Sequence, residues 1–200
     1  VMGRNGVGKT TLMRNIVGLE KASKGTVTLD GRDITKTPAR KRAQSGLALV
    51  PQGRMIFPRL SVKENLEVGL SARTDGRRSI PQEIYDLFPV LSDMGARQGG
   101  NLSGGQQQQL AIGRALVGEP RVLLLDEPTE GIQPNVIQAI GQVLRRLVSE
   151  KEMTVVLVEQ YVDFIKEFGD HFYIMNRGRV VADGDTPQLS EAIVRQHLSV

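Results

Sequence analysis

With 200 residues, 40% of them hydrophobic, the chain can bury one substantial core with a smaller subdomain attached. It has no cysteine, which excludes disulfides and thiolate metal sites. No apolar run approaches the roughly 20 residues that span a bilayer, so the chain is expected to be soluble and to meet a membrane only through a partner. The net charge of +4 reflects short basic clusters, Arg40-Lys41-Arg42 and Arg77-Arg78 among them; with 4% aromatic residues there is no base-stacking platform, so these are expected to be solvated faces, not nucleic-acid contacts, with proximity to anionic lipid head groups as a further use.

The chain enters its first motif almost at once. Gly3-Arg4-Asn5-Gly6-Val7-Gly8-Lys9-Thr10 fits GxxxxGK[ST] without a mismatch. Glycines let the backbone curl so that successive N–H groups face phosphate oxygens; Lys9 supplies a point charge to the β- and γ-phosphates, and the Thr10 hydroxyl suits Mg²⁺. Such a loop normally follows a buried strand, and only Val1 and Met2 precede it, so that strand is expected to be missing or cut to a stub. Leu12, Met13, Ile16 and Val17 then recur at helical spacing, with Gly18 as a stop. Residues 26–29 followed by Asp30-Gly31 read as a strand entering a hairpin turn. Residues 46–50 form a short apolar strand ending at Pro51-Gln52.

From about residue 53 to 102 the character changes. Ser61 and Glu64 have capping-box spacing, and Ile84, Leu87 and Phe88 predict another helix. Met55, Ile56 and Phe57 read equally as core or as an exposed apolar patch. The second half alternates cleanly: a helix over 106–116, an apolar strand over 122–125, and a helix with Val136, Ile137, Ile140, Val143, Leu144, Leu147 and Val148 on one face. A strand over 155–158 and a hairpin turning at Asn176-Arg177-Gly178 complete it. Strands alternating with helices predict an α/β fold, a mostly parallel sheet with helices on both faces. Such a sheet gathers ligands at the carboxyl ends of its strands, where Gln52, Asp126 and Gln160 all fall.

Asp126 after four apolar residues suits a metal anchor. Leu102-Ser103-Gly104-Gly105-Gln106 opens a helix with a hydroxyl and free N–H groups, an anion site by construction. One phosphate loop already serves one nucleotide, so a second such helix end makes sense for a nucleotide held by another subunit.

These motifs together resemble the ATP-binding cassette (ABC) ATPase family over nearly all 200 residues. The resemblance implies a RecA-like P-loop NTPase fold for residues 1–200, lacking its first strand or strands, with a helical subdomain inserted at about 53–107. It implies ATP hydrolysis with Mg²⁺: Gly3, Arg4, Asn5, Gly6, Val7, Gly8, Lys9, Thr10 and Thr11 cradle the nucleotide, Thr10, Gln52 and Asp126 hold the metal, and Lys9, Gln52, Glu127 and Gln160 act in catalysis, Glu127 as general base. Ser103, Gly104, Gly105 and Gln106 would complete a partner subunit's site in a head-to-tail dimer. Further implied partners are transmembrane permeases, reached through residues 53–67, and indirectly a periplasmic binding protein. The setting would be the cytoplasmic face of a bacterial plasma membrane.

Two departures stand out. Gln160 occupies the position of the family's switch histidine and cannot carry its charge. Glu130-Gly131-Ile132-Gln133 replaces the common serine-alanine-leucine-aspartate. Residues 128–134 and Val158-Glu159-Gln160-Tyr161 look closest to ATPases of urea and branched-chain amino acid importers. A non-transport ABC ATPase of translation or DNA repair, or the ATPase of another transporter such as a lipopolysaccharide exporter, is the alternative. The roughly 90 residues between Lys9 and the Ser103 motif leave no room for the coiled-coil insertion of the non-transport class.

Overall fold

Three consecutive leucines set the architecture. Leu123, Leu124 and Leu125 have no exposed surface, and a strand buried on both faces belongs in the middle of a parallel sheet covered by helices. The structure, a computed structural model describing residues 1–198, is built in chain order from α1 (Lys9–Val17), β1 (Thr28–Leu29), β2 (Arg32–Asp33), α2 (Ala39–Gln44), β3 (Leu47–Val50), α3 (Val62–Val68), α4 (Gln82–Leu87), α5 (Pro89–Asp93) and α6 (Gly104–Leu116), followed by β4 (Val122–Asp126), α7 (Pro134–Lys151), β5 (Thr154–Val158), α8 (Val162–Phe168), β6 (His171–Asn176), β7 (Arg179–Asp185) and α9 (Glu191–His197).

β3, β4 and β5 pair in parallel in that order, with Leu124 between Leu49 and Val156. β6 and β7 form an antiparallel hairpin. Val1 and Met2 join the two sheets. The Glu159 N–H donates to the Val1 carbonyl at 3.1 Å, Met2 N–H donates to the Tyr173 carbonyl at 2.7 Å, and the Met2 carbonyl accepts from Met175 N–H at 2.8 Å. Val1 and Met2 thus bridge β5 and β6, with Met2 paired in parallel to Ile174.

Side chains of β4 alternate between two cores. Leu123 and Leu125 pack with Leu66, Leu110, Ile112 and Ile140 of α3, α6 and α7, in a cluster that includes Ile84 and Leu91 of α4 and α5. Leu124 faces the other way, toward Met13 and Val17 of α1, Ile34 and Val158. Full burial of each leucine contributes about 1.5–3 kcal/mol. A third cluster gathers Met2, Ile165, Phe172, Ile174 and Leu189. The capping boxes at Ser61–Glu64 and Ser103–Gln106 both form, and Asp30 and Gly31, with φ of 50° and 76°, make the hairpin turn between β1 and β2.

One sequence expectation fails. Arg40 and Lys41 are exposed, but Arg42 is buried, at 4% exposure. Its Nη1 donates to the Asn15 and Ile16 carbonyls at 2.8 and 2.7 Å, its Nη2 to the Thr35 carbonyl at 2.7 Å, and its Nε to the Thr37 carbonyl at 2.8 Å. The carbonyls at the negative end of α1 supply the compensation that a buried guanidinium requires. Residues 55–57 divide: Met55 and Phe57 are 68% and 45% exposed, while Ile56 packs against the main core.

Candidate active site

Close backbone approach shapes the first loop. Gly3 has φ of 147°, and a Cβ there would lie 2.5 Å from the Met175 carbonyl oxygen, so no other residue fits against β6. The Gly178 N–H, in the turn between β6 and β7, donates to the Val7 carbonyl at 2.9 Å and braces the loop from outside. Lys9 folds back over the loop, its Nζ donating to the Gly3 and Arg4 carbonyls at 2.6 and 2.9 Å. Burial lowers the Lys9 pKa, against the opposing pull of Glu127 and Asp126. α1 opens at Gly8 without a side-chain cap, which leaves its first N–H groups and the positive end of its dipole for an anion. Within this helix the Thr11 carbonyl accepts from Asn15 Nδ2 at 2.8 Å.

Asp126 ends β4 beside Thr10. Burial raises its pKa and the neighbouring Glu127 raises it further, against the opposing pull of the Thr10 hydroxyl and Lys9. Asp126 Oδ1 is buried without a hydrogen-bond partner among the described residues. A buried, unsatisfied carboxylate oxygen next to a hydroxyl is a hard-oxygen set that suits Mg²⁺.

Glu127 follows in a strained conformation. Its φ of 52° puts a non-glycine, pre-proline residue in the left-handed region, which costs roughly 1–3 kcal/mol. Its N–H is held by the Val158 carbonyl at 2.9 Å. Two glutamine amides engage the side chain: Oε1 accepts from Gln160 Nε2 at 2.7 Å and Oε2 from Gln52 Nε2 at 3.0 Å. The Gln160 amide also donates to Asn5 Oδ1 at 2.7 Å, and the Gln52 amide to Glu130 Oε2 at 3.1 Å. Strand ends β3, β4 and β5 and the phosphate loop therefore converge on one carboxylate. No hydrogen bond among the described residues joins Gln52 to Thr10 or Asp126.

Ser103, Gly104, Gly105 and Gln106 lie elsewhere. Ser103 N–H donates to Gln106 Oε1 at 2.9 Å and Gln106 N–H to Ser103 Oγ at 3.3 Å. A Cβ on Gly105 would lie 2.9 Å from Val136 Cγ1, so α6 can sit against α7 only as glycine. No hydrogen bond joins this motif to the phosphate loop among the described residues. Its neighbour is Arg54, whose guanidinium donates to the Glu130 carbonyl at 2.9 Å and would contact a Cβ on Gly104 at 3.4 Å.

Sequence reasoning passed over Arg54 and treated Glu159 only as part of a marker. Glu159 is 3% exposed. Its Oε1 accepts from Thr129 N–H at 2.9 Å and Thr129 Oγ1 at 2.7 Å, and its Oε2 from the N–H groups of Gln160 and Tyr161 at 3.0 and 3.3 Å. The signal that exposed Asp126, an acid closing an apolar strand, was present here too.

A family model described as "ABC transporter" matches residues 1–130. The chain is 37% identical over 182 residues to the high-affinity branched-chain amino acid transport ATP-binding protein BraG of Pseudomonas aeruginosa, spanning 90% of this chain and 78% of that one. It is 38% identical over 194 residues to the probable branched-chain amino acid transport ATP-binding protein LivF of Archaeoglobus fulgidus, spanning 96% and 81%. Among solved structures it is similar to the dimeric post-hydrolysis state of the ATP-binding cassette MJ0796 bound to ADP and Pi, with a TM-score of 0.84 at 27% identity over 92% of this chain and 83% of that one.

Proposed function

Because the chain belongs to the ABC transporter family, whose ATP-binding subunits hydrolyse ATP to drive transport, we propose that it powers an importer of urea or branched-chain amino acids as one half of a two-subunit ATPase. The observation that carries the reading is Glu127, one residue beyond the buried Asp126 and gripped by Gln52 and Gln160 at the mouth of the phosphate loop. Lys9 and the loop amides of residues 3–11 bind the phosphates. Thr10 and Asp126, with Gln52, would hold Mg²⁺, which when bound neutralises charge on the phosphate oxygens. Glu127 takes the proton of the attacking water. Gln160, with one amide hydrogen turned from Asn5 to the γ-phosphate, donates a neutral hydrogen bond there, so the charge lost with histidine is not replaced at that position.

Ser103, Gly104, Gly105 and Gln106 serve the partner's nucleotide, a reading supported by the lack of any hydrogen bond among the described residues between them and this chain's own phosphate loop and by the dimeric state of the similar cassette MJ0796. Residues 53–107 act as an inserted helical subdomain. Between α1, α2 and β3 on one side and α3 and α6 on the other runs an apolar cavity of about 380 Å³, lined by Val17, Leu19, Leu49, Val68 and Arg114. Leu19 and Val68 are 59% and 39% exposed, and Arg114 stacks over the exposed Phe57 ring at 5.4 Å. Through Arg114 and Phe57 this groove adjoins residues 53–67, the segment that couples to a permease at the cytoplasmic face of a bacterial membrane, the periplasmic binding protein acting on the far side. No helix of the described residues is long and apolar enough to cross a membrane itself.

Reconstitution with its permeases and binding protein in proteoliposomes tests the reading. ATP turnover should rise with urea or with leucine, isoleucine and valine. Turnover indifferent to both solute classes overturns the cargo assignment.

A further inference from the structure

Resting on the reading of Glu127 as general base, we infer that Glu159 is a positioning residue that holds Gln160 on the Glu127 carboxylate. Glu159 is the buried bridge between two loops that leave neighbouring strands. One oxygen takes the N–H and hydroxyl of Thr129, two residues beyond Glu127; the other takes the N–H groups of Gln160 and Tyr161. Three backbone N–H groups and one hydroxyl face it, so its two oxygens meet four hydrogen-bond partners. Its own N–H is tied to the Val1 carbonyl, so the bridge is fixed to the segment that leads into the phosphate loop.

The contact it controls is short and specific. Gln160 Nε2 lies 2.7 Å from both Glu127 Oε1 and Asn5 Oδ1. A side-chain amide can divide its two hydrogens between a base and the phosphate loop only if its backbone stands at one fixed distance from the β4 loop. Glu159 spans that distance at 3% exposure, without competition from water. The residue touches neither nucleotide nor water in this scheme; it acts through Gln160.

Glu159→Gln tests this, because the new amide presents donors to donors on one side of the bridge while keeping the side-chain volume. In steady-state ATPase assays with Mg-ATP, kcat should fall about tenfold to a hundredfold, the loss expected from displacing a catalytic contact by an ångström, with KM for ATP within about twofold of the parent. In a Gln160→Ala background the same change should cost less than about threefold, since the contact it sets is already gone. Thr129→Val, which removes one hydrogen bond and keeps the shape, should reproduce the kcat-selective loss at smaller size should E159Q fail to fold. Parental kcat in E159Q and T129V, with Glu127→Gln inactive, overturns the positioning role alone. A full multiplicative loss in the Gln160→Ala background also overturns it. Turnover surviving Glu127→Gln instead overturns the general-base reading on which it rests.

Discussion

Arg42→Ala should destabilise the protein far more than a residue in a run of surface charges would. Four carbonyls, from Asn15, Ile16, Thr35 and Thr37, accept from its guanidinium at 2.7–2.8 Å, and the side chain is almost wholly buried. A hydrogen bond to a charged donor is worth roughly 1.5–3 kcal/mol, and orphaned buried acceptors add their own desolvation cost. These contributions do not simply add, and removal of one partner from a buried charged network costs about 3–5 kcal/mol. For a chain of this size each kilocalorie shifts the melting temperature by about 2–4 °C, so the expected drop is on the order of 10 °C. Arg42→Lys keeps the charge but offers a point donor where a fork is required, and should lose about half as much. Urea denaturation of the nucleotide-free protein, followed by circular dichroism, measures both. Because the lost contacts anchor the end of α1, ATP binding should weaken in parallel. A loss below about 1 kcal/mol for Arg42→Ala, the range of an exposed charge, would refute the buried-clamp account.

Glu127→Gln should keep ATP binding, accumulate a closed dimer and lose about 10²–10⁴-fold in turnover; single-turnover assays and size-exclusion chromatography with ATP check it, and unchanged turnover removes Glu127 from its role. Asp126→Asn should raise the melting temperature of the nucleotide-free protein at neutral pH while abolishing Mg-ATP binding. The Asp126 pKa is raised by burial, so ionisation costs stability once pH passes its unfolded value; the gain should disappear as acid protonates the parent carboxyl, and a lower melting temperature at pH 7 contradicts the burial argument. Gln160→His should add an inflection to the pH–rate profile near pH 6–7, where histidine titrates, and one ring N–H can no longer serve both Asn5 and Glu127; superimposable profiles would show that position 160 is structural.

What was legible in the sequence was local. The phosphate loop, the capping box at Ser61 and the fully apolar β4 are each specified within about ten residues, so their patterns survive without knowledge of the fold. What was not legible depends on distant partners. Arg42 looks like its exposed neighbours until the end of α1 arrives to accept its protons. Glu159 reads as a family marker, and its structural weight appears only with Thr129 thirty residues away. Met55, Ile56 and Phe57 have no internal period, so only packing could decide that the middle one turns inward. The position of Gln160 was legible, but its simultaneous grip on Asn5 and Glu127 was not, because three separate chain segments must first be assembled.

The brace from Gly178 to Val7, with Met175 set against Gly3, has a consequence for how the protein is made. The nucleotide loop is near the beginning of this sequence, and the segments that fix its shape are synthesised about 170 residues later, a contact of high sequence separation that forms late. A nascent chain therefore displays a complete phosphate-binding motif long before it has a phosphate-binding site. On the ribosome such a chain is expected to hold ATP weakly until the β6–β7 turn emerges to brace the loop.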